Sequence, residues 1–178
     1  TPGEVDYDLL SQHSLPANCI LFVSALHKQK NWDGMLAAWS ALPGELRLNH
    51  PLVFVDSKKK MRRKSKPGNL IFIGHIDDQV LLNLYRSAKL MVFPSFAEGF
   101  CLPPLEALCS GCPVIASETT SMPEVLGDGI DYFNPFEMSS IMTTLEKHVA
   151  LPRPAIDYEP AWSAELTGSK LLELINNI

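Results

Sequence analysis

The chain has 178 residues, 46% of them hydrophobic and 20% charged, with a net charge of −5. This composition describes a globular domain with a sizeable core, and excludes a disordered tail or a binder held on nucleic acid by phosphate contacts. No apolar run reaches the roughly 18 residues of a membrane-spanning helix.

The opening "TPGEVDYDLL" has neither a starting Met nor the basic and apolar pattern of a leader. Residues 1–18 therefore read as a lead-in or linker within a longer chain. Short apolar runs then alternate with helical patterns. Cys19–Ala25, Pro51–Val55, Asn69–Gly74, Leu90–Pro94 and Pro113–Ser117 are apolar on both faces, as buried parallel strands must be, and Asp131–Pro135 is a short sixth. Trp32–Leu42 repeats apolar residues at helical spacing and stops before Pro43-Gly44. Asp77–Ala88 opens with acids that suit the positive end of a helix dipole. Ser121–Glu124 has the form of a capping box, and the next helix has Asn134 as cap with Pro135 at its first position. Ser163–Ile175 is a last amphipathic segment after a Pro-rich connector.

Strand–helix repetition of this kind predicts an α/β fold, a single Rossmann-like, doubly wound parallel sheet of about six strands with helices on both faces. The sheet domain occupies residues 19–150, and 151–178 form a connector and closing helix. Ligands of such sheets collect at the carboxyl ends of the strands, where the strand order reverses. The loops after Ala25, Val55, Gly74, Pro94 and Ser117 lie on that rim.

Cys19, Cys101, Cys109 and Cys112 sit in apolar stretches, which suggests reduced thiols and a cytoplasmic protein. Cys109 and Cys112 form a C-x-x-C, but no second pair and no nearby His completes a metal or redox site, so packing is the favoured reading. The run from Lys58 to Lys66 holds nearly half of the 15 basic residues. A solvated connection is favoured for it, and a patch for phosphates or anionic lipid head groups at a membrane face is the sharper alternative.

The stretch "FAEGFCLPPLEALCSG" sets Glu98 and Glu106 around the start of a helix. Gly99 supplies a free backbone for the turn, Pro104 suits a first helical turn, and Gly111 suits the stop. Glu106 then lies in the first turn. The amides of Gly99, Phe100, Cys101 and Leu102, with the helix dipole, can face an anion. Phosphate would be repelled by two carboxylates, whereas sugar hydroxyls donate to them. A nucleotide-activated sugar, with phosphates between two hydroxyl-bearing rings, satisfies both features. The plainer alternative makes Glu106 a surface helix residue.

These residues carry a resemblance. Pro94-Ser95, Glu98-Gly99-Phe100-Cys101-Leu102-Pro103, Glu106-Ala107, Gly111-Cys112-Pro113-Val114 and Pro123-Glu124-Val125 resemble the E-x7-E region of glycosyltransferase family 4, retaining enzymes of the two-Rossmann-domain GT-B fold. The likeness runs through most of the chain from Cys19 onward and is to the C-terminal, donor-binding half. It implies a retaining hexosyltransferase that takes a GDP- or UDP-hexose without a metal or other cofactor. The acceptor, a glycan or lipid-linked sugar of polysaccharide or glycolipid synthesis, would be held by an N-terminal Rossmann domain. Peripheral contact with the cytoplasmic membrane face is a further expectation.

By the same resemblance Glu98 hydrogen-bonds the transferred sugar and Glu106 holds the ribose. The amides of Phe100, Cys101 and Leu102 meet the sugar or distal phosphate, Lys30 neutralises the diphosphate, and Ile76 and Asp78 flank the base. Where many relatives have Gly-Arg this chain has Ser24-Ala25, where the second strand often ends in Gly it has Asp56, and Cys101 replaces a usual Gly. The Cys101 replacement requires a φ compatible with a side chain. Ala25 and Asp56 motivate the alternative, a non-catalytic nucleotide-sugar-binding module of the same fold.

Overall fold

The computed structural model describes residues 3–56, the backbone of 64–66, and residues 69–159. The side chains of the basic run, Trp162 and the expected closing helix lie outside the described residues. The strands are β1 (Ile20–Val23), β2 (Leu52–Val55), β3 (Lys64–Lys66), β4 (Leu70–Ile73), β5 (Leu90–Phe93), β6 (Val114–Ser117) and β7 (Asp131–Phe133). They form one sheet in the order β3-β4-β2-β1-β5-β6-β7. Six are parallel, as expected. The seventh, β3, lies within the basic run and pairs antiparallel with β4, Ser65 opposite Ile71.

The helices are α1 (Tyr7–Gln12), α2 (Trp32–Ala41), α3 (Gly44–Asn49), α4 (Asp78–Ser87), α5 (Leu102–Cys109), α6 (Met122–Leu126) and α7 (Met138–Ala150). Alternation along each strand divides the core in two, because successive side chains leave opposite faces of a strand. Leu21, Val23, Val53, Ile71, Met91 and Val114 face α1, α4, α5 and α6. Ile20, Phe22, Phe54, Leu90, Val92 and Ile115 face α2 and α7. Full burial of each large side chain contributes about 1.5–3 kcal/mol, so both covers are needed. Trp39 belongs to the second layer, and its indole N–H donates to the His50 carbonyl at 3.2 Å.

Several local expectations are corrected. The stretch read as a lead-in contains α1, whose Leu10 is buried against the sheet. Ser121 stands at the start of α6 but makes no capping bond. α7 begins at Met138 rather than Pro135. The Asn134 side chain instead accepts from the Phe136 amide at 3.0 Å, a local turn that competes with helix. Beyond α7 the chain returns along the amino ends of the strands. The buried Lys89 amine donates to the Leu151 carbonyl, and the Arg153 guanidinium donates to the carbonyls of Ala88 (2.8 Å) and Gly111 (2.7 Å). Ile156 and Tyr158 pack on the first core layer.

Candidate functional site

The strand order reverses between β1 and β5, which are neighbours in the sheet although β2 follows β1 in the chain. Loops leaving the carboxyl ends of these two strands must diverge, and the crevice between them is where such sheets bind ligands. After β1 the chain makes a 3₁₀ turn, Lys28–Lys30, closed by Asn31 at a left-handed φ of 50°. After β5 comes the turn that carries Glu98. Two bonds join the loops: the Phe96 amide donates to the Gln29 carbonyl (2.9 Å), and the Gln29 side chain donates to the Ala97 carbonyl (2.8 Å).

This junction brings Lys30 onto Glu98. The ammonium lies 2.6 and 2.8 Å from the two carboxylate oxygens, with the side chains 22% and 10% exposed. Lys30 also stands 5.8 Å from the centre of the Phe93 ring, whose negative face favours a cation. Asn31 supports the turn from beneath: it is buried and donates to the Pro135 carbonyl at 3.2 Å. A Cβ at Gly34 would stand 2.2 Å from its Oδ1, so any side chain there would have to displace the Asn31 amide. Ala25, two residues past β1, is buried and brings no charge to the crevice.

The turn into α5 differs from expectation. Gly99 has no left-handed φ, and open space surrounds the position of its missing Cβ, so neither its φ nor its packing within the chain calls for glycine. The left-handed residue is Cys101, with φ 54° and ψ 52°, directly before the helix. An unbranched side chain tolerates this at a cost of roughly 1–2 kcal/mol. Cys101 is buried, and burial pushes its thiol up to about 11, against reactivity. The buried Cys112 of the C-x-x-C is pushed up to about 12 for the same reason, which supports packing. Leu102 begins α5, and Pro103 and Pro104 after it carry no N–H. The amides that remain to face an anion belong to Leu102 and the residues before it. Phe100 and Leu102 project into solvent, 41% and 56% exposed. Gly111, at φ 79°, ends the helix as expected.

Glu106 sits in the second turn of α5, one turn later than expected. It has a partner that the sequence did not reveal: the buried Tyr85 of α4 donates its hydroxyl to Glu106 Oε2 at 3.3 Å. Desolvation raises the Glu106 pKa and the charge of Asp78 adds to this, while the Tyr85 hydroxyl opposes it. Asp78, Tyr85 and Glu106 line one cleft of about 420 Å³ between α4 and α5. Ile76 does not line it and packs half-buried on the core. Glu98 and Glu106 thus have separate environments, one against a cation and one in a shallow cleft. The aromatic spacing of α4 gave no hint of Tyr85, because a buried Tyr at helical spacing reads as core.

Residues 11–141 match the family model described as glycosyl transferases group 1. The serotype-specific mannosyltransferase WbdA of Escherichia coli is 36% identical over 149 residues, which cover 78% of this chain and 18% of that protein. O-antigen chain mannosyltransferase B of Escherichia coli is 35% identical over 129 residues, 68% of this chain and 34% of that protein. The chain therefore spans well under half the length of these curated relatives. The crystal structure of the C-terminal domain of a glycosyl transferase group 1 family protein (LpcC) from Francisella tularensis has the same fold. It aligns with a TM-score of 0.65 at 22% identity, covering 84% of this chain and 85% of that one.

Proposed function

Since the chain belongs to the glycosyl transferases group 1 family, we propose that it is the donor-binding half of a retaining, GT-B glycosyltransferase of family 4. The observation that carries this reading is the meeting of Lys30 and Glu98 across the β1–β5 crevice. An ammonium beside the amino end of α5 suits a departing nucleoside diphosphate, whose negative charge grows as the sugar–phosphate bond breaks. Glu98, beside it, suits the positive charge that develops on the sugar. Glu106, in the cleft with Asp78 and Tyr85, accepts ribose hydroxyls, with the base toward Ile76 and Asp78. The leaving group's charge is met by Lys30 and backbone amides, so no metal enters the reading.

The acceptor would be held by a preceding Rossmann domain of the full-length protein and would attack the face that the leaving group vacates. Both relatives described above are mannosyltransferases by name, which favours a hexosyl donor used in polysaccharide synthesis. Membrane contact remains a proposal for the basic run. The test is calorimetry with UDP, GDP, ADP and dTDP. One of them should bind at millimolar concentration or below, more weakly in Glu106→Ala and Lys30→Ala. No heat with any of the four would overturn the reading. In the full-length protein Glu98→Gln should abolish transfer, whereas retained transfer would leave only a binding module.

A further inference from the structure

Thr120 has φ 53°. The other non-glycine residues with positive φ among those described are Ser14, Cys101 and three asparagines, so Thr120 is the only β-branched one. A branched Cβ in the left-handed region crowds its own backbone, and glycine or asparagine would adopt this φ with little strain. Strain that persists at a ligand rim points to a use for the side chain that causes it.

The use is visible in the bonds. The Glu98 amide donates to Thr120 Oγ1 at 3.0 Å, and that hydroxyl donates its own proton to the Thr119 carbonyl at 2.8 Å. The next residue, Ser121, donates its hydroxyl to the Glu98 carbonyl at 3.1 Å. Ser121 occupies the first position of a Ser-x-x-Glu capping box, yet its hydroxyl is turned away from α6. Two adjacent hydroxyls from the β6–α6 loop therefore grip the N–H and the C=O on either side of the Glu98 Cα. Lys30, from the β1 loop, holds the far end of the same side chain. Glu98 is fixed at both ends by residues that come from two other strands.

We infer that Thr120 and Ser121 are positioning residues for Glu98, and that the strain at Thr120 is kept because its hydroxyl orients that carboxylate toward the transferred sugar. This rests on the reading of Glu98 as the group that meets the sugar. The two hydroxyls bond to the backbone of Glu98, so their loss should reach the sugar through that side chain and spare the nucleotide.

The experiment compares Thr120→Gly, Thr120→Ser and Ser121→Ala in the full-length protein. Melting temperature, kcat and the dissociation constants of GDP, GDP-mannose, UDP and UDP-glucose are measured. The informative quantity is the ratio of affinities for the sugar nucleotide and its bare diphosphate. Thr120→Gly relieves the strain and removes the hydroxyl. It should leave the melting temperature equal or higher and diphosphate binding unchanged, while the ratio and kcat fall about three- to tenfold, the worth of one lost hydrogen bond. Ser121→Ala should lower the same ratio, and Thr120→Ser should hold it. An unchanged ratio and kcat in Thr120→Gly would overturn the inference, as would a parallel fall of melting temperature and diphosphate binding. A Glu98→Gln control separates the two levels. If Glu98→Gln collapses the ratio and Thr120→Gly does not, only the positioning role fails. If Glu98→Gln leaves the ratio intact, the sugar-facing reading of Glu98 and this inference fall together.

Discussion

Lys30 and Glu98 are 68 residues apart in sequence, yet the ammonium of one touches both carboxylate oxygens of the other. The sheet causes this, because β1 and β5 are neighbours and each residue lies in the loop that leaves the carboxyl end of its strand. Removing Lys30 leaves a mostly buried carboxylate without its cation. Lys30→Ala should therefore cost about 1–3 kcal/mol of stability in urea denaturation. Pairing Lys30→Ala with Glu98→Ala should cost less than the sum of the two single changes, because neither charge is then left unpaired. Strict additivity would show that the pair contributes nothing to the fold.

If Glu106 accepts the ribose hydroxyls as proposed, nucleotide binding should depend on pH. Its folded pKa is raised, so a fraction of it is protonated in mild acid, and a protonated carboxyl is a poorer acceptor for ribose hydroxyls. Nucleoside diphosphate affinity should rise with pH through a midpoint above that of an ordinary Glu. The Tyr85 hydroxyl opposes the raised pKa, so Tyr85→Phe should move the midpoint higher still, with Asp78 and Cys109 as the remaining ionisable neighbours in the cleft. Stability has the opposite slope, since the native state binds the proton more tightly and loses that advantage as pH rises through the folded pKa. Calorimetric titration across the acid range checks the first effect. Subtracting the same series for Glu106→Gln removes the titration of the phosphate itself.

Cys101 holds a left-handed φ and is also buried. Replacing it by Gly relieves the backbone, whereas Ala keeps the strain and loses the same thiol. Cys101→Gly should therefore be more stable than Cys101→Ala by about 1 kcal/mol, part of the left-handed penalty being returned as extra chain entropy. Equal stabilities would mean that the turn relaxes in one of them.

Gly34 lies in the first turn of α2, where Ala is the better helix former by about 1 kcal/mol. Here the added methyl would press on the buried Asn31 amide at 2.2 Å. Displacing Asn31 also breaks its bond to the Pro135 carbonyl and shifts the turn that presents Lys30. Gly34→Ala should thus destabilise by about 1–3 kcal/mol and weaken diphosphate binding along with it. A rise in melting temperature would show that helix propensity outweighs the clash.

Five of the six parallel strands were legible because each is apolar on both faces, the pattern that survives burial from two sides, while β7 opens on the half-buried Asp131 and was legible only as a short sixth. Their ends moved by a residue or two. Lys30, Glu98 and Glu106 could be named from their residue types and the family resemblance, but their contacts could not, since these depend on which strands adjoin. Tyr85 was hidden because a helical aromatic that packs in the core carries no mark of a hydroxyl reaching out of it. Thr120 was hidden because strain is a property of φ, and Ser121 was misread because its capping-box spacing is genuine while its hydroxyl is engaged elsewhere. The basic run drew attention by charge, and its backbone supplies β3, an edge that no apolar pattern announced.

The return of the chain beneath the sheet bears on where this domain can be cut. Lys89 is buried, and the acceptor of its amine is the carbonyl of Leu151, one residue past α7. A protein trimmed after Ala150 would keep that ammonium in its interior with nothing to receive it, and the Ala88 and Gly111 carbonyls would lose the guanidinium that now serves them. Any shortened version meant to be expressed by itself should therefore end well beyond Arg153, and a protease that nicks between α7 and Arg153 should release a fragment that melts early.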